Sequence, residues 1–65
     1  MKVRDVVKRL EADGWRFYRH GKGDHQHYRH PTKPGLVTID GRPGEDMPIG
    51  TLKAIWKQAG MRDDQ

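Results

Sequence analysis

The stretch WRFYRHGKGDHQHYRH, residues 15–30, decides the fold, because two polar and aromatic-rich segments flank a glycine-containing turn. The first segment alternates roughly between aromatic and basic residues, which is typical of a half-buried strand. The residues from Gly21 to Asp24 have the composition of a turn. We therefore predict a β-hairpin with strands over residues 15–20 and 25–30.

Outward from this hairpin, LVTID at 36–40 is rich in β-branched residues and predicts a third strand. Two apolar sets at helical spacing flank the strands: Val3, Val6, Val7 and Leu10 before them, and Ile49, Leu52, Ile55, Trp56 and Ala59 after them. Gly14 and Gly60 stand where these helices should end, and Pro48 suits the first turn of the second. We expect the tail from Met61 to Gln65 to be frayed.

The predicted order is α-β-β-β-α over one domain spanning residues 1–65. This is an α+β fold in which two helices cover one face of a three-stranded antiparallel sheet. A four-residue turn would pair strand residues that share a face: His20 with His25, Tyr18 with His27, and Arg16 with Arg29. These six side chains would then lie on the uncovered face, while Trp15, Phe17, Tyr28, Val37 and Ile39 would point toward the helices.

The charge of the chain indicates an anionic partner. The net charge is +4, the pI is about 9.8, and all four histidines and much of the basic charge fall between residues 16 and 33. Nucleic acid is the most frequent partner of a small basic domain, although some such domains are basic only for solubility. Without cysteines there are no disulfides or thiolate sites, and the chain shows no secretory signal or long apolar run, so we expect a cytoplasmic protein with no membrane association.

His25 is the leading candidate for chemistry, since imidazole can exchange a proton at neutral pH. RNA carries its own nucleophile, the 2′-hydroxyl, so a base, an acid and cations suffice to cut it without a metal. His25 follows the turn, beside the predicted phosphate-binding residues Lys22 and Arg29. The alternative for His25 is an exposed histidine in an RNA-binding hairpin that does no chemistry.

Further open-face residues have supporting roles in this interpretation. His27 and His20 are candidates for a second proton carrier or a phosphate contact, Arg16 for a phosphate contact, and Tyr18 for stacking on a base. His30, which precedes Pro31, is interpreted as structural. Three histidines could hold zinc, but the neighbouring cations oppose a dication, so we predict no metal and no cofactor.

Three segments, in this order and spacing, carry a resemblance to a known family: LEADGW at 10–15, KGDHQHYRHP at 22–31, and PIGTL at 48–52 followed by KQAG at 57–60. Together they resemble the HicA toxins, over nearly the whole chain. The resemblance implies a double-stranded-RNA-binding-like fold, a ribosome-independent ribonuclease acting on messenger RNA, and a HicB-type antitoxin partner. It also implies that His25 is the catalytic histidine.

The chain departs from the family pattern at the turn, where members commonly read Gly-Ser-His-His and this sequence reads Gly23-Asp24-His25-Gln26. A carboxylate at residue 24 would favour a protonated imidazole nearby and repel phosphate. His27 could replace the missing second histidine. Two other functions stay open at this point: a non-catalytic RNA-binding module of the same fold, and a protein whose basic face binds an acidic partner.

Overall fold

The computed structural model describes residues 1–62, and the predicted tail beyond Arg62 lies outside them. The elements are α1 (Val3–Ala12), β1 (Arg16–His20), β2 (Gln26–Arg29), β3 (Val37–Ile39) and α2 (Ile49–Gln58), which confirms the predicted α-β-β-β-α order. The sheet is antiparallel in the order β1-β2-β3. No helix in residues 1–62 is both long and apolar enough to cross a membrane.

Helix α1 begins without a side-chain cap, as its sequence suggests, and the loop before α2 replaces the cap. The backbone N–H of Val3 donates to the carbonyl of Glu45 at 2.9 Å, and that of Arg4 donates to Pro43 at 3.0 Å. These contacts satisfy N–H groups that the first turn of a helix cannot pair internally. The start of α1 therefore depends on residues forty positions away.

One hydrophobic cluster lies between the helices and the sheet. Its buried members are Val3, Val6, Leu10, Trp15, Tyr28, Val37, Ile39, Met47, Ile55, Trp56 and Ala59. Met61 also packs against this cluster, and its N–H donates to the carbonyl of Trp56 at 2.8 Å. The expectation of a frayed tail is therefore wrong at Met61.

The sheet is covered unevenly. Its buried side chains come from β2 and β3, whereas every residue of the edge strand β1 is exposed. Trp15 is buried as predicted, but Phe17 remains 49% exposed although it pairs with the buried Tyr28. The prediction that Phe17 enters the core is wrong, because no helix residue buries this part of β1.

A bulge in β1 changes the predicted hairpin register. Arg16 pairs with Arg29 as expected, but Arg19 rather than Tyr18 pairs with His27, and the register shifts between Phe17 and Arg19. An extra residue in one strand shifts all later residues by one position, and therefore to the other face. The predicted Tyr18–His27 pair is therefore wrong.

The same bulge moves His20. It pairs with Gln26 instead of His25, and its ring lies 5.1 Å from that of Phe17 in an edge-to-face contact. Paired residues share a face, so His20 lies on the helix side of the sheet. The prediction that His20 lies on the open face is wrong for this reason.

Candidate active site on the open face of the sheet

The face of the sheet turned away from the helices, called the open face below, is built by cross-strand pairs. Arg16 pairs with Arg29, Arg19 pairs with His27, and His27 pairs with Thr38 of β3. Side chains on this face are not buried by the core cluster. The open face is therefore a basic, histidine-containing surface accessible to a ligand.

His25 lies just before β2, next to the hairpin turn. Its Nε2 atom is 3.5 Å from Oδ2 of Asp40, the residue that follows β3, and its side chain is 43% exposed. The Gln26–Ile39 pair places His25 and Asp40 opposite each other in the next position of the ladder. The ring is therefore oriented by a carboxylate through one nitrogen, and Nδ1 has no protein partner among residues 1–62.

His27 is held more firmly than His25. A hydrogen bond of 2.9 Å joins its Nδ1 atom to Oγ1 of Thr38 on the adjacent strand. Its Nε2 atom lies over Gly21, so close that a Cβ atom on that glycine would be only 2.6 Å away. The same Cβ position would be 3.1 Å from Cβ of His25, so both histidines flank Gly21.

Lys22 lies in the turn that leads to His25. The N–H of His25 donates to the carbonyl of Lys22 at 3.0 Å, and the N–H of Gly21 donates to the carbonyl of His25 at 2.9 Å. Gly23 occupies the turn with a φ of 58°, which a glycine adopts without strain. The exposed Lys22 side chain forms no ion pair within residues 1–62 and is a free cation beside the site.

Three arginines and an aromatic ring occupy the rest of the open face. The guanidinium carbons of Arg29 and Arg19 lie 4.6 Å and 5.5 Å from the centre of the Tyr18 ring. Nη1 of Arg16 donates to the carbonyls of Glu11 and Trp15, both at 2.8 Å. In the described part of the chain none of these arginines pairs with a carboxylate, so their charges remain uncompensated.

His30 has a structural environment, in agreement with its sequence interpretation. Its side chain is only 9% exposed, and its ring packs edge-on against Trp15 with centroids 5.2 Å apart. Nδ1 accepts the N–H groups of Thr32 and Lys33, both at 3.1 Å, so Nε2 carries the proton and donates to the carbonyl of Asp13 at 2.7 Å. Both ring nitrogens are used, which leaves none for a substrate.

Lys33 also serves the fold, although it belongs to the basic stretch of the sequence. Its Nζ atom lies 2.6 Å from Oδ2 of Asp13 and donates to the carbonyl of Ala59 at 3.0 Å, so it joins the ends of both helices. This hydrogen bond is the main reason that the pKa of the Asp13 carboxyl falls below its ordinary value of 3.8. Lys33 is therefore not part of the open-face charge.

Sequence reasoning missed Asp40 and Arg19. Asp40 could have been found, because pairing Tyr28 with Val37 and counting along both strands brings His25 opposite Asp40. Arg19 could not, since nothing in the residue types marks a bulge in β1. Asp24, the carboxylate that drew attention in the sequence, forms no ion pair with His25 in the described residues.

No three His, Asp or Glu side chains within residues 1–62 come together as a possible metal-ligand set. The site therefore consists of two imidazoles, a carboxylate and unpaired cations. The family model described as "HicA toxin of bacterial toxin-antitoxin" matches residues 3–61 of the chain. The chain belongs to the HicA toxin family.

No curated protein sequence matches the chain. Membership of the HicA family makes the protein the toxin component of a toxin–antitoxin pair, with an antitoxin as its partner. The match includes the hairpin and both helices. The open-face residues of this HicA toxin are thus part of the matched region.

Proposed function

We propose that this HicA toxin is an endoribonuclease that cleaves messenger RNA by metal-independent acid–base catalysis, with His25 as the proton-exchanging group. The observation that carries the proposal is the environment of His25: an exposed imidazole whose Nε2 atom is 3.5 Å from the Asp40 carboxylate. A carboxylate that binds one ring nitrogen orients the ring and favours its protonated form. That arrangement suits a group that accepts and then returns a proton.

The proposed reaction begins when His25 Nδ1 removes the proton of a ribose 2′-hydroxyl. The 2′-oxygen forms a bond to the adjacent phosphorus as the bond between phosphorus and the 5′-oxygen breaks. A protonated group donates a proton to this leaving oxygen, and the products are a 2′,3′-cyclic phosphate and a free 5′-hydroxyl. No oxidant, metal or second substrate is needed to balance the step.

His27 is the proposed proton donor or phosphate contact. Its bond to Thr38 occupies Nδ1 and leaves Nε2 next to Gly21 and His25. When Thr38 donates to Nδ1, Nε2 bears the hydrogen and can donate it to a phosphate oxygen or to the leaving group. Lys22 supplies positive charge to the phosphate, which gains negative charge in the transition state.

A HicB-type antitoxin is the proposed partner, and cytoplasmic mRNA is the proposed target. An inhibitor that covers the open face would block His25 directly and would meet uncompensated positive charge there. We therefore expect the antitoxin to present an acidic surface to this face.

The test is a cleavage assay with purified toxin, end-labelled single-stranded RNA and excess EDTA. We expect products that end in a 2′,3′-cyclic phosphate, and a loss of about 10²–10⁴-fold in rate for His25→Ala, the range for removal of a general acid–base. His20→Ala is the matched control, because its ring lies on the helix side of the sheet, and it should cleave as the parent does.

Two outcomes would overturn the proposal. Cleavage by His25→Ala at the rate of the parent would remove this residue from the mechanism. Tight RNA binding without any products, by a parent protein that still arrests growth, would make the protein a non-catalytic RNA-binding module.

A further inference from the structure

A pocket of about 650 Å³ lies at one end of the sheet, remote from the hairpin turn. Its lining residues are Gly14, Arg16, Arg29, His30 and Pro31. His30 has no free ring nitrogen, because its three hydrogen bonds to backbone groups use both. The two arginines are therefore the only charged groups with free donors among these lining residues.

Arg16 and Arg29 are direct cross-strand partners, which places two positive charges side by side. Like charges at such positions destabilise a sheet. No carboxylate in residues 1–62 pairs with either arginine, so the protein does not relieve this repulsion itself. A bound anion would relieve it.

Both guanidinium groups are already held in place. Arg16 spends Nη1 on the carbonyls of Glu11 and Trp15, which leaves its Nε and Nη2 donors free. Arg29 stacks on the Tyr18 ring at 4.6 Å. Preorganised guanidinium donors bind phosphate with little further loss of side-chain freedom.

The pocket is too distant from His25 to share one phosphate with it. Arg29 is four residues farther along the chain than His25, which corresponds to roughly 13 Å of extended strand. A ligand that occupies both places must therefore carry at least two anionic groups on a connected chain. Single-stranded RNA has this property, and its bases can stack on the flat Tyr18–Arg29 pair.

We propose that the Arg16–Arg29 pocket is a second phosphate subsite for single-stranded RNA, separate from the phosphate that is cleaved at His25. It rests on the proposed ribonuclease function and extends it, because the subsite sets a minimum length for a tightly bound substrate. An RNA too short to reach from His25 to the pocket binds only the turn end of the open face. A longer strand is held at both ends.

The test uses fluorescently labelled 2′-O-methyl oligouridine, which lacks the nucleophilic hydroxyl and cannot be cut. Affinities for a dinucleotide and a hexanucleotide are measured with the parent toxin and with an Arg16→Gln/Arg29→Gln double variant. We expect the double variant to lose roughly tenfold or more in hexanucleotide affinity, because it loses charge-assisted contacts to a phosphate. Its affinity for the dinucleotide should stay unchanged.

Salt dependence provides a second measurement on the same variants. The slope of log K against log salt for the hexanucleotide should fall by about 0.7 for each phosphate contact that is lost. An Arg4→Gln/Lys53→Gln double variant removes the same charge from exposed positions on the two helices and is the matched control. Circular dichroism of each variant checks that the fold persists, and Arg29→Gln alone serves if loss of the Arg16 bonds disturbs it.

Three results would overturn the subsite. These are equal losses for dinucleotide and hexanucleotide, a hexanucleotide affinity equal to that of the control variant, and binding of acidic polypeptide in preference to any RNA. Failure of cleavage is distinguishable from failure of the subsite, because binding is measured on RNA that cannot be cut. A protein with the length-dependent loss but no cleavage would retain the subsite and lose the proposed catalysis.

Discussion

His25 and His30 belong to the same hairpin, five residues apart, and have opposite environments. His30 is buried against Trp15, and backbone groups bind both of its ring nitrogens. His25 is 43% exposed and meets a carboxylate through one nitrogen. The comparison teaches that a histidine's partners, rather than its neighbours in sequence, decide whether its proton is available to a ligand.

The largest effect on stability should come from the buried member of this pair. His30→Ala leaves the N–H groups of Thr32 and Lys33 without their acceptor and opens a cavity beside Trp15. We expect a loss of about 2–3 kcal/mol in the free energy of unfolding, measured by urea denaturation. His25→Ala should change the same quantity by less than about 0.5 kcal/mol, as for exposed positions generally. Equal losses in the two variants would remove the distinction between these histidines.

Asp40 sharpens the comparison from the side of His25. Asp40→Asn keeps the size of the side chain and removes the charge that faces Nε2, so kcat for RNA cleavage should fall about tenfold with little change in KM. Asp24→Asn is the matched control, because Asp24 forms no ion pair with His25 in residues 1–62. A larger loss in Asp24→Asn than in Asp40→Asn would assign the orienting carboxylate to the wrong residue.

Gly21 tests the support of His27. A methyl group at this residue would lie 2.6 Å from Nε2 of His27, so Gly21→Ala must displace the imidazole. Cleavage should fall by roughly threefold to tenfold, because small displacements of a reacting group reduce rates. Gly50→Ala, where a Cβ atom meets no other atom within 4 Å, should cleave at the parent rate. A Gly21→Ala variant of full activity would exclude His27 from the reaction.

The smallest effect concerns pH and the structural end of the molecule. Lys33 lowers the pKa of Asp13, so this carboxylate stabilises the fold fully above its ordinary value of 3.8, and the contribution disappears as pH falls through the lowered pKa. Acid titration of stability should show this loss in the parent and a shallower slope in Asp13→Asn. Identical slopes in the two proteins would show that the Asp13–Lys33 contact has no net effect.

Much of the fold could be predicted because apolar periodicity is a local property. The spacing of Val3, Val6 and Leu10 marks the buried face of α1, and Val37 and Ile39 mark that of β3. The uncapped start of α1 was also visible, but its solution was not, because the carbonyls of Pro43 and Glu45 reach it only after folding. Candidate residues were predictable by type, since His25, Lys22 and Arg29 have the chemistry that RNA cleavage requires.

The sequence by itself determined the order of the elements and the identity of the chemical groups, since both follow from residue types and their spacing. Only the tertiary structure decided which groups meet. The bulge in β1 placed Arg19 on the open face and His20 behind it, and the β2–β3 register brought Asp40 to His25. The physical reason is that strand register is a long-range property: one unpaired residue reverses every later side chain without any local change in composition.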